Sequence, residues 1–200
     1  MTAALLAGLA KWISGASVRW LDCPIEPRQR VYFANHTSHL DAVVLWASLP
    51  AEIRRTARPV AARDYWEKGK LRRWMAARVF RCVLIDRKDV SRRNNPLDLM
   101  MQALDQNCSL IVFPEGTRGT GDDVGTFKSG LYHLARHKPE VQFVPAYIEN
   151  LNRVLPKGEF LPIPMLSSVT FGAPIRLEPV ETREAFLTRA REAVCSLRRG

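Results

Sequence analysis

The run Arg30-Val31-Tyr32-Phe33-Ala34 stops on the polar stretch Asn35-His36-Thr37-Ser38-His39-Leu40-Asp41, and apolar residues resume from Ala42 to Leu49 before Pro50. The first run reads as a buried strand and the second as a helix. A polar turn joining a strand to a helix start is where α/β proteins place their chemistry. The pattern recurs. Phe80 to Ile85 leads to Asp86-Arg87, and Ser109 to Phe113 leads to Pro114-Glu115-Gly116-Thr117-Arg118. Gln142 to Ile148 contains Val144-Pro145-Ala146. Strands alternating with helices predict an α/β domain, with a mostly parallel or mixed central sheet flanked by helices. Pro145 inside such a strand points to a sheet edge or a bulge.

Within the first turn, His36 and Asp41 are five residues apart. On one continuous helix that step is about 500°, and the two side chains would diverge. They meet only if His36 precedes the helix and Asp41 stands in its first turn, with Ser38 as the N-cap. Asp41 then holds the Nδ1 proton of His36 and leaves Nε2 as a general base. The same residues also fit a purely structural reading. Ser38-x-x-Asp41 matches a capping box, and an acid in a first helical turn is favoured by the helix dipole.

Two hundred residues suggest one domain, and the net charge of +10 suggests an anionic partner. Nucleic acid, a phospholipid surface and a phosphorylated or CoA-like substrate all qualify. Cys23, Cys82, Cys108 and Cys195 are widely spaced and read as reduced thiols rather than a metal site. Residues 1–22 read as an amphipathic helix lying in a membrane interface, too short in its clean apolar run to cross one. Residues 23–200 form the α/β domain. Asp64 to Arg81 is expected to be helical and very basic, with Tyr65, Trp66 and Trp74 among its lysines and arginines. That mixture suits an anionic membrane surface, and no nucleic-acid-binding motif accompanies it. His133 and His137 are four apart on a helix, and no third metal ligand is near them in sequence.

Taken in order, Asn35-His36 with Asp41, Ile85-Asp86-Arg87, Phe113-Pro114-Glu115-Gly116-Thr117-Arg118 and Val144-Pro145 resemble the four blocks of the glycerolipid acyltransferases. The resemblance runs from about Val31 to Ile175 and is nearest to the 1-acyl-sn-glycerol-3-phosphate (lysophosphatidate) acyltransferases. It implies transfer of a fatty acyl group from acyl-CoA or acyl-carrier protein to the free hydroxyl of lysophosphatidate. The thioester is a co-substrate; no cofactor and no metal are expected. His36 would be the base and Asp41 its orienter. Asp86 and Arg87, with Glu115, Gly116, Thr117 and Arg118, would bind the acceptor's glycerol phosphate, and Pro145 would lie near the acyl-donor groove. Lys128, where the next helix opens, offers a second phosphate contact. Glu115 cannot itself bind phosphate and is read as a hydrogen-bond partner for a hydroxyl or an arginine. Arg81 and Leu84 stand where the second block of the family usually has Gly and Phe.

The expected setting is the cytoplasmic face of the inner membrane, peripheral or monotopic, with an anionic phospholipid surface and a lysophospholipid acceptor as partners. A Gly-x-Ser-x-Gly elbow is absent, so direct attack on the thioester is expected rather than an acyl-enzyme. Competing readings are another lysolipid (an ornithine lipid) or glycerol-3-phosphate as acceptor, a metal-dependent hydrolase using His36, His39 and Asp41, and a basic nucleic-acid-binding module.

Overall fold

The structure is a computed structural model and describes residues 8, 17–38, 40–86, 94–119, 123–150 and 167–198. Seven strands appear among them: β1 (Ser17–Trp20), β2 (Arg30–Ala34), β3 (Ala57–Ala62), β4 (Val83–Ile85), β5 (Ser109–Val112), β6 (Gln142–Glu149) and β7 (Ser168–Phe171). The helices are α1 (Asp41–Ser48), α2 (Ala51–Arg54), α3 (Arg63–Trp66), α4 (Lys70–Trp74), α5 (Pro96–Asp105), α6 (Gly130–His137) and α7 (Arg183–Cys195). The strands form one sheet in the order β1-β7-β6-β2-β5-β3-β4. β2 is parallel to β5 and β6, and β3 is parallel to β4 and β5. β7 runs antiparallel to β6 and carries β1 parallel to itself. The sheet is therefore mixed, and the C-terminal ends of β2 to β6 share one edge.

Every residue of β2 is buried, as a strand covered on both faces requires. Alternate side chains enter opposite layers. Tyr32 and Ala34 pack with Val44, Leu45 and Ile53, whereas Val31 and Phe33 pack with Leu104, Leu134 and Phe186. Arg30 is buried with its guanidinium partnered: Nε donates to Gln142 Oε1 (3.1 Å) and an Nη donates to the Pro24 carbonyl (2.8 Å). α5 begins as its sequence dictates, with Asn95 accepting from the Leu97 N–H and Pro96 in the first turn.

Two expectations are corrected, and one left between two alternatives is decided. Ser17–Trp20, assigned to an N-terminal helix, is a strand. Trp20 stacks on Phe171 at 4.0 Å, so the aromatic is used in the core rather than at an interface. The rest of the expected helix lies outside the described residues, apart from the helical Gly8. Asp64 to Arg81 is not one helix. It breaks at Glu67–Gly69, where Gly69 has φ +92°, and its last turn, Met75–Val79, widens to a π-helix. Of the edge or bulge expected at Pro145 the structure has the bulge, since β6 sits between β2 and β7. The bulge lies in its neighbour. Phe143 pairs with Ile175 and Ala146 with Phe171, so two residues of β6 face three, Gly172 to Pro174. The missing Pro145 N–H falls where the ladder is interrupted, and its carbonyl still accepts from the Gly172 N–H at 2.9 Å.

α7 is anchored by Phe186, which is fully buried against Phe143 and Tyr132. Phe186→Ala should destabilise the fold by about 3–5 kcal/mol, read as a lower urea midpoint with an unchanged slope.

Candidate active site

β2 ends at Ala34, and the next residue extends its ladder. Asn35 is buried, its amide nitrogen donating to the Ile148 carbonyl (2.9 Å) and its amide oxygen accepting the Ile148 N–H (2.8 Å). This rung of side chain to backbone fixes where the chain leaves the sheet. The following turn closes on one atom. Asp41 Oδ2 accepts from Thr37 N (2.6 Å), Ser38 N (2.8 Å) and His36 Nδ1 (2.8 Å). An oxygen accepting two backbone N–H groups acts as an acceptor, so the shared hydrogen belongs to Nδ1. Nε2 is then the nitrogen left to take a proton. Asp41 is fully buried, and its Oδ1 has no partner among the described residues.

The Ser38 cap is not formed as expected. α1 starts at Asp41, with Leu40 at the N-cap and no side-chain cap. Ser38 Oγ instead accepts from the Leu40 N–H (3.3 Å). The cap is reversed, because the acid reaches back over the turn and satisfies N–H groups that precede the helix.

β5 runs beside β2 and delivers the second loop. Phe113 stacks on the His36 ring, with centroids 4.4 Å apart and planes 25° from parallel. Glu115 Oε1 accepts from the His36 N–H (2.8 Å) and Oε2 from the Gly125 N–H (3.0 Å). The Gly119 N–H donates to the His36 carbonyl (2.8 Å). Residue 125 must be glycine for this contact, since a Cβ there would lie 2.8 Å from Glu115 Oε2. Glu115, expected to meet a substrate hydroxyl or an arginine, is therefore occupied by backbone on both oxygens. It clamps the backbone of the residue that carries the imidazole.

The other expected site residues divide. Gly116, Thr117 and Arg118 follow Glu115 on the same loop, Thr117 exposed and the other two partly so. Lys128 folds back over Gly116, where a Cβ would lie 2.7 Å from its Cε and Nζ. Asp86 follows β4 with a partly buried carboxylate. Its Oδ1 pairs with Arg63 Nε (3.2 Å) and its Oδ2 accepts from Asn94 Nδ2 (3.3 Å). β4 lies three strand spacings from β2, or ~14 Å, so Asp86 does not join His36 directly. Arg87 and His39 lie outside the described residues. Pro145 is buried in β6 opposite Phe33, three residues short of His36, and does not reach the site surface. Arg81 has φ +48°, the left-handed region that favours glycine, at the position where the family's second block usually has one.

Phe113, Asn35 and Arg63 are contributors the sequence reading passed over. Phe113 was the findable one: two adjacent parallel strands, each ending in a polar block, put the last residue of one beside the first turn of the other. The residue-to-backbone bonds of Asn35 leave no sequence signature.

Among the described residues no group of three or more His, Cys, Asp or Glu converges as metal ligands. No helix among them is long and apolar enough to cross a membrane. Burial pushes the Cys82 thiol up to about 12 and raises Cys23 as well, although Arg30 opposes the latter shift.

The family profile described as Acyltransferase matches residues 24–149, which include the dyad, the Glu115 loop and the strand that receives Asn35. The chain belongs to the acyltransferase family. Among its relatives is the 1-acyl-sn-glycerol-3-phosphate acyltransferase of Limnanthes douglasii, 25% identical over 87% of this chain and 60% of the relative. The 1-acyl-sn-glycerol-3-phosphate acyltransferase alpha of Homo sapiens is 33% identical over 58% of this chain and 38% of the relative. The chain spans about half the length of the curated relatives it matches. Its fold is that of the Thermotoga maritima 1-acyl-sn-glycerophosphate (LPA) acyltransferase PlsC, with a TM-score of 0.76, 21% identity, and coverage of 98% of this chain and 77% of that one.

If Glu115 clamps backbone, Glu115→Ala should cost about 2–4 kcal/mol and Glu115→Gln roughly half of that, because glutamine keeps one acceptor. Urea unfolding measures this. A Glu115→Gln protein of unchanged stability with a raised acceptor KM would place the carboxylate on substrate instead.

Proposed function

We propose that the chain transfers a fatty acyl group from a thioester donor, acyl-CoA or acyl-carrier protein, to the free hydroxyl of lysophosphatidate, giving phosphatidate at a membrane surface. The observation that carries this is the His36–Asp41 pair, 2.8 Å apart at the end of β2, with its imidazole held on Phe113 and only 15% exposed. Relatives named as 1-acyl-sn-glycerol-3-phosphate acyltransferases support the choice of acceptor.

His36 Nε2 takes the hydroxyl proton as the acceptor oxygen attacks the thioester carbonyl. Asp41 stabilises the imidazolium that forms and keeps the ring oriented. Collapse of the tetrahedral intermediate breaks the C–S bond, and the proton on Nε2 passes to the departing thiolate. The oxyanion needs donors. The Gly116 N–H is already committed to the Phe113 carbonyl at 3.0 Å, so it is not one of them. The N–H groups of Thr117 and Arg118 meet no acceptor among the described residues and suit the task. Arg118 and Lys128 suit the acceptor phosphate, with Arg118 able to bind it bidentately. Asp86 supports Arg63 rather than the acceptor directly. The basic chain, +10 overall, favours a phosphorylated acceptor and an anionic donor alike.

Thiol release from acyl-CoA, measured across lysophosphatidate, lysophosphatidylcholine, a lyso-ornithine lipid and glycerol-3-phosphate, tests the reading. Lysophosphatidate should be preferred, and His36→Ala should lower kcat/KM by roughly 10²–10⁴-fold. Full activity in His36→Ala would remove it as the base. Loss of activity to a chelator would favour the hydrolase instead. Direct attack also predicts that iodoacetamide at neutral pH leaves turnover intact, since no thiol forms an acyl-enzyme and the raised Cys82 is protonated there.

A further inference from the structure

The segment between β3 and β4 carries a surface that acyl transfer does not account for. Residues 67–74 are exposed without a break. The ends of this stretch are tucked in. Trp66 meets Phe80 edge-on at 5.7 Å, Met75 packs on the core, and Ala76 and Val79 are buried. Between them Leu71 is 69% exposed and Trp74 45% exposed. They are one helical turn apart and share a face of α4. Lys68, Lys70, Arg72 and Arg73 surround them, and Arg72 lies over the Tyr65 ring at 4.7 Å. The acid of the stretch, Glu67, is already paired with Arg63 at 3.1 Å.

Two large apolar side chains displayed side by side gain nothing in the fold. A short helix with an apolar pair ringed by cations matches the boundary of an anionic bilayer, where Trp and Leu reach the acyl edge and Lys and Arg meet phosphates. Base stacking and phosphate contacts on a nucleic acid would use the cations and Trp74 but leave Leu71 in water. Placement agrees as well. β3 is parallel to β5, and β5 to β2, so α3 leaves the sheet at the edge that holds His36.

We infer that residues 67–74 dock the protein on an anionic phospholipid surface, with Leu71 and Trp74 inserted and Lys68, Lys70, Arg72 and Arg73 on lipid phosphates. That this docking brings a lysolipid to His36 rests on the proposed acyl transfer; the docking itself does not.

Co-sedimentation of the full chain with vesicles, without acyl donor, tests the surface. Vesicles of equal parts phosphatidylglycerol and phosphatidylcholine should bind about tenfold more tightly than phosphatidylcholine alone, and less tightly as salt rises. Leu71→Ser with Trp74→Ser, and separately Lys70→Glu with Arg72→Glu, should each weaken binding about tenfold. Their thermal unfolding should stay like wild type, because the side chains are exposed. Val180→Ser, at a site 93% exposed before α7, should bind like wild type. The inference is overturned if both double variants sediment like wild type, or if Val180→Ser loses as much as they do. Equal binding to neutral vesicles overturns it too, as does binding to single-stranded RNA that the same substitutions weaken while vesicle binding is unchanged. Turnover of a water-soluble lysophosphatidate by a chain that ignores vesicles removes the docking alone. Docking without turnover on any acceptor supports this surface and removes the acyl-transfer reading alone.

Discussion

Three N–H donors converge on one oxygen, Asp41 Oδ2, and the site depends on that convergence. Two of them close the turn between β2 and α1; the third is the imidazole. The structural and chemical readings of the His-x4-Asp spacing are therefore one interaction. A turn of this kind leaves backbone N–H groups without a helical partner, and the acid satisfies them from the first residue of α1. Because the same oxygen also takes Nδ1–H, the ring cannot rotate without leaving a buried acceptor underused. Charge-assisted hydrogen bonds of this type are about twice as strong as neutral ones, which rigidifies both turn and ring.

Glu115 repeats the device from the neighbouring strand. One carboxylate oxygen holds the His36 N–H and the other the Gly125 N–H, so the second loop is fastened at two points to the first. Both acids of this site thus face inward onto backbone, while Arg118 and Lys128 remain on the outside. Arg118 follows Glu115 on this loop and Lys128 lies over Gly116, in a chain of net charge +10. A phosphorylated acceptor and a CoA-like donor would be attracted there, and an unphosphorylated acceptor would gain less.

Much of this was legible in the sequence, for identifiable reasons. β2, β5 and β6 are apolar runs bounded by polar blocks, and burial on both faces writes itself as continuous hydrophobicity. The dyad followed from a spacing that works only across a turn. Other features depended on partners far along the chain. Ser17–Trp20 carries Arg19 and Trp20 and reads as part of an interfacial helix, but β7 supplies hydrogen bonds and Phe171 a stacking partner 151 positions away. The break at Glu67–Gly69 is local, and Gly69 could have marked it. Pro145 was read as a sign of an edge or a bulge, and the bulge is what is found, with the extra residue in the chain across from it. Glu115 was misassigned for a subtler reason. A carboxylate beside arginines invites a side-chain pairing, whereas its actual partners are backbone groups that every residue carries.

The proton inventory of the site limits the chemistry further. Asp41 Oδ2 is saturated by three donors, and each Glu115 oxygen holds one. Asp41 is fully buried in the turn and Glu115 bonds backbone through both oxygens, so the two acids serve to hold the turn and the loop. Burial keeps the Cys82 thiol protonated near neutral pH. Among the described groups of this site, Nε2 of His36 is the one to which the proposed acyl transfer assigns the role of base. A site with one mobile proton acceptor and a fixed orienter suits reactions in which the same nitrogen removes a proton from the attacking group and returns it to the leaving group. Acyl transfer from a thioester to an alcohol has that symmetry: the hydroxyl proton lost at the first step is the one the thiolate needs at the second.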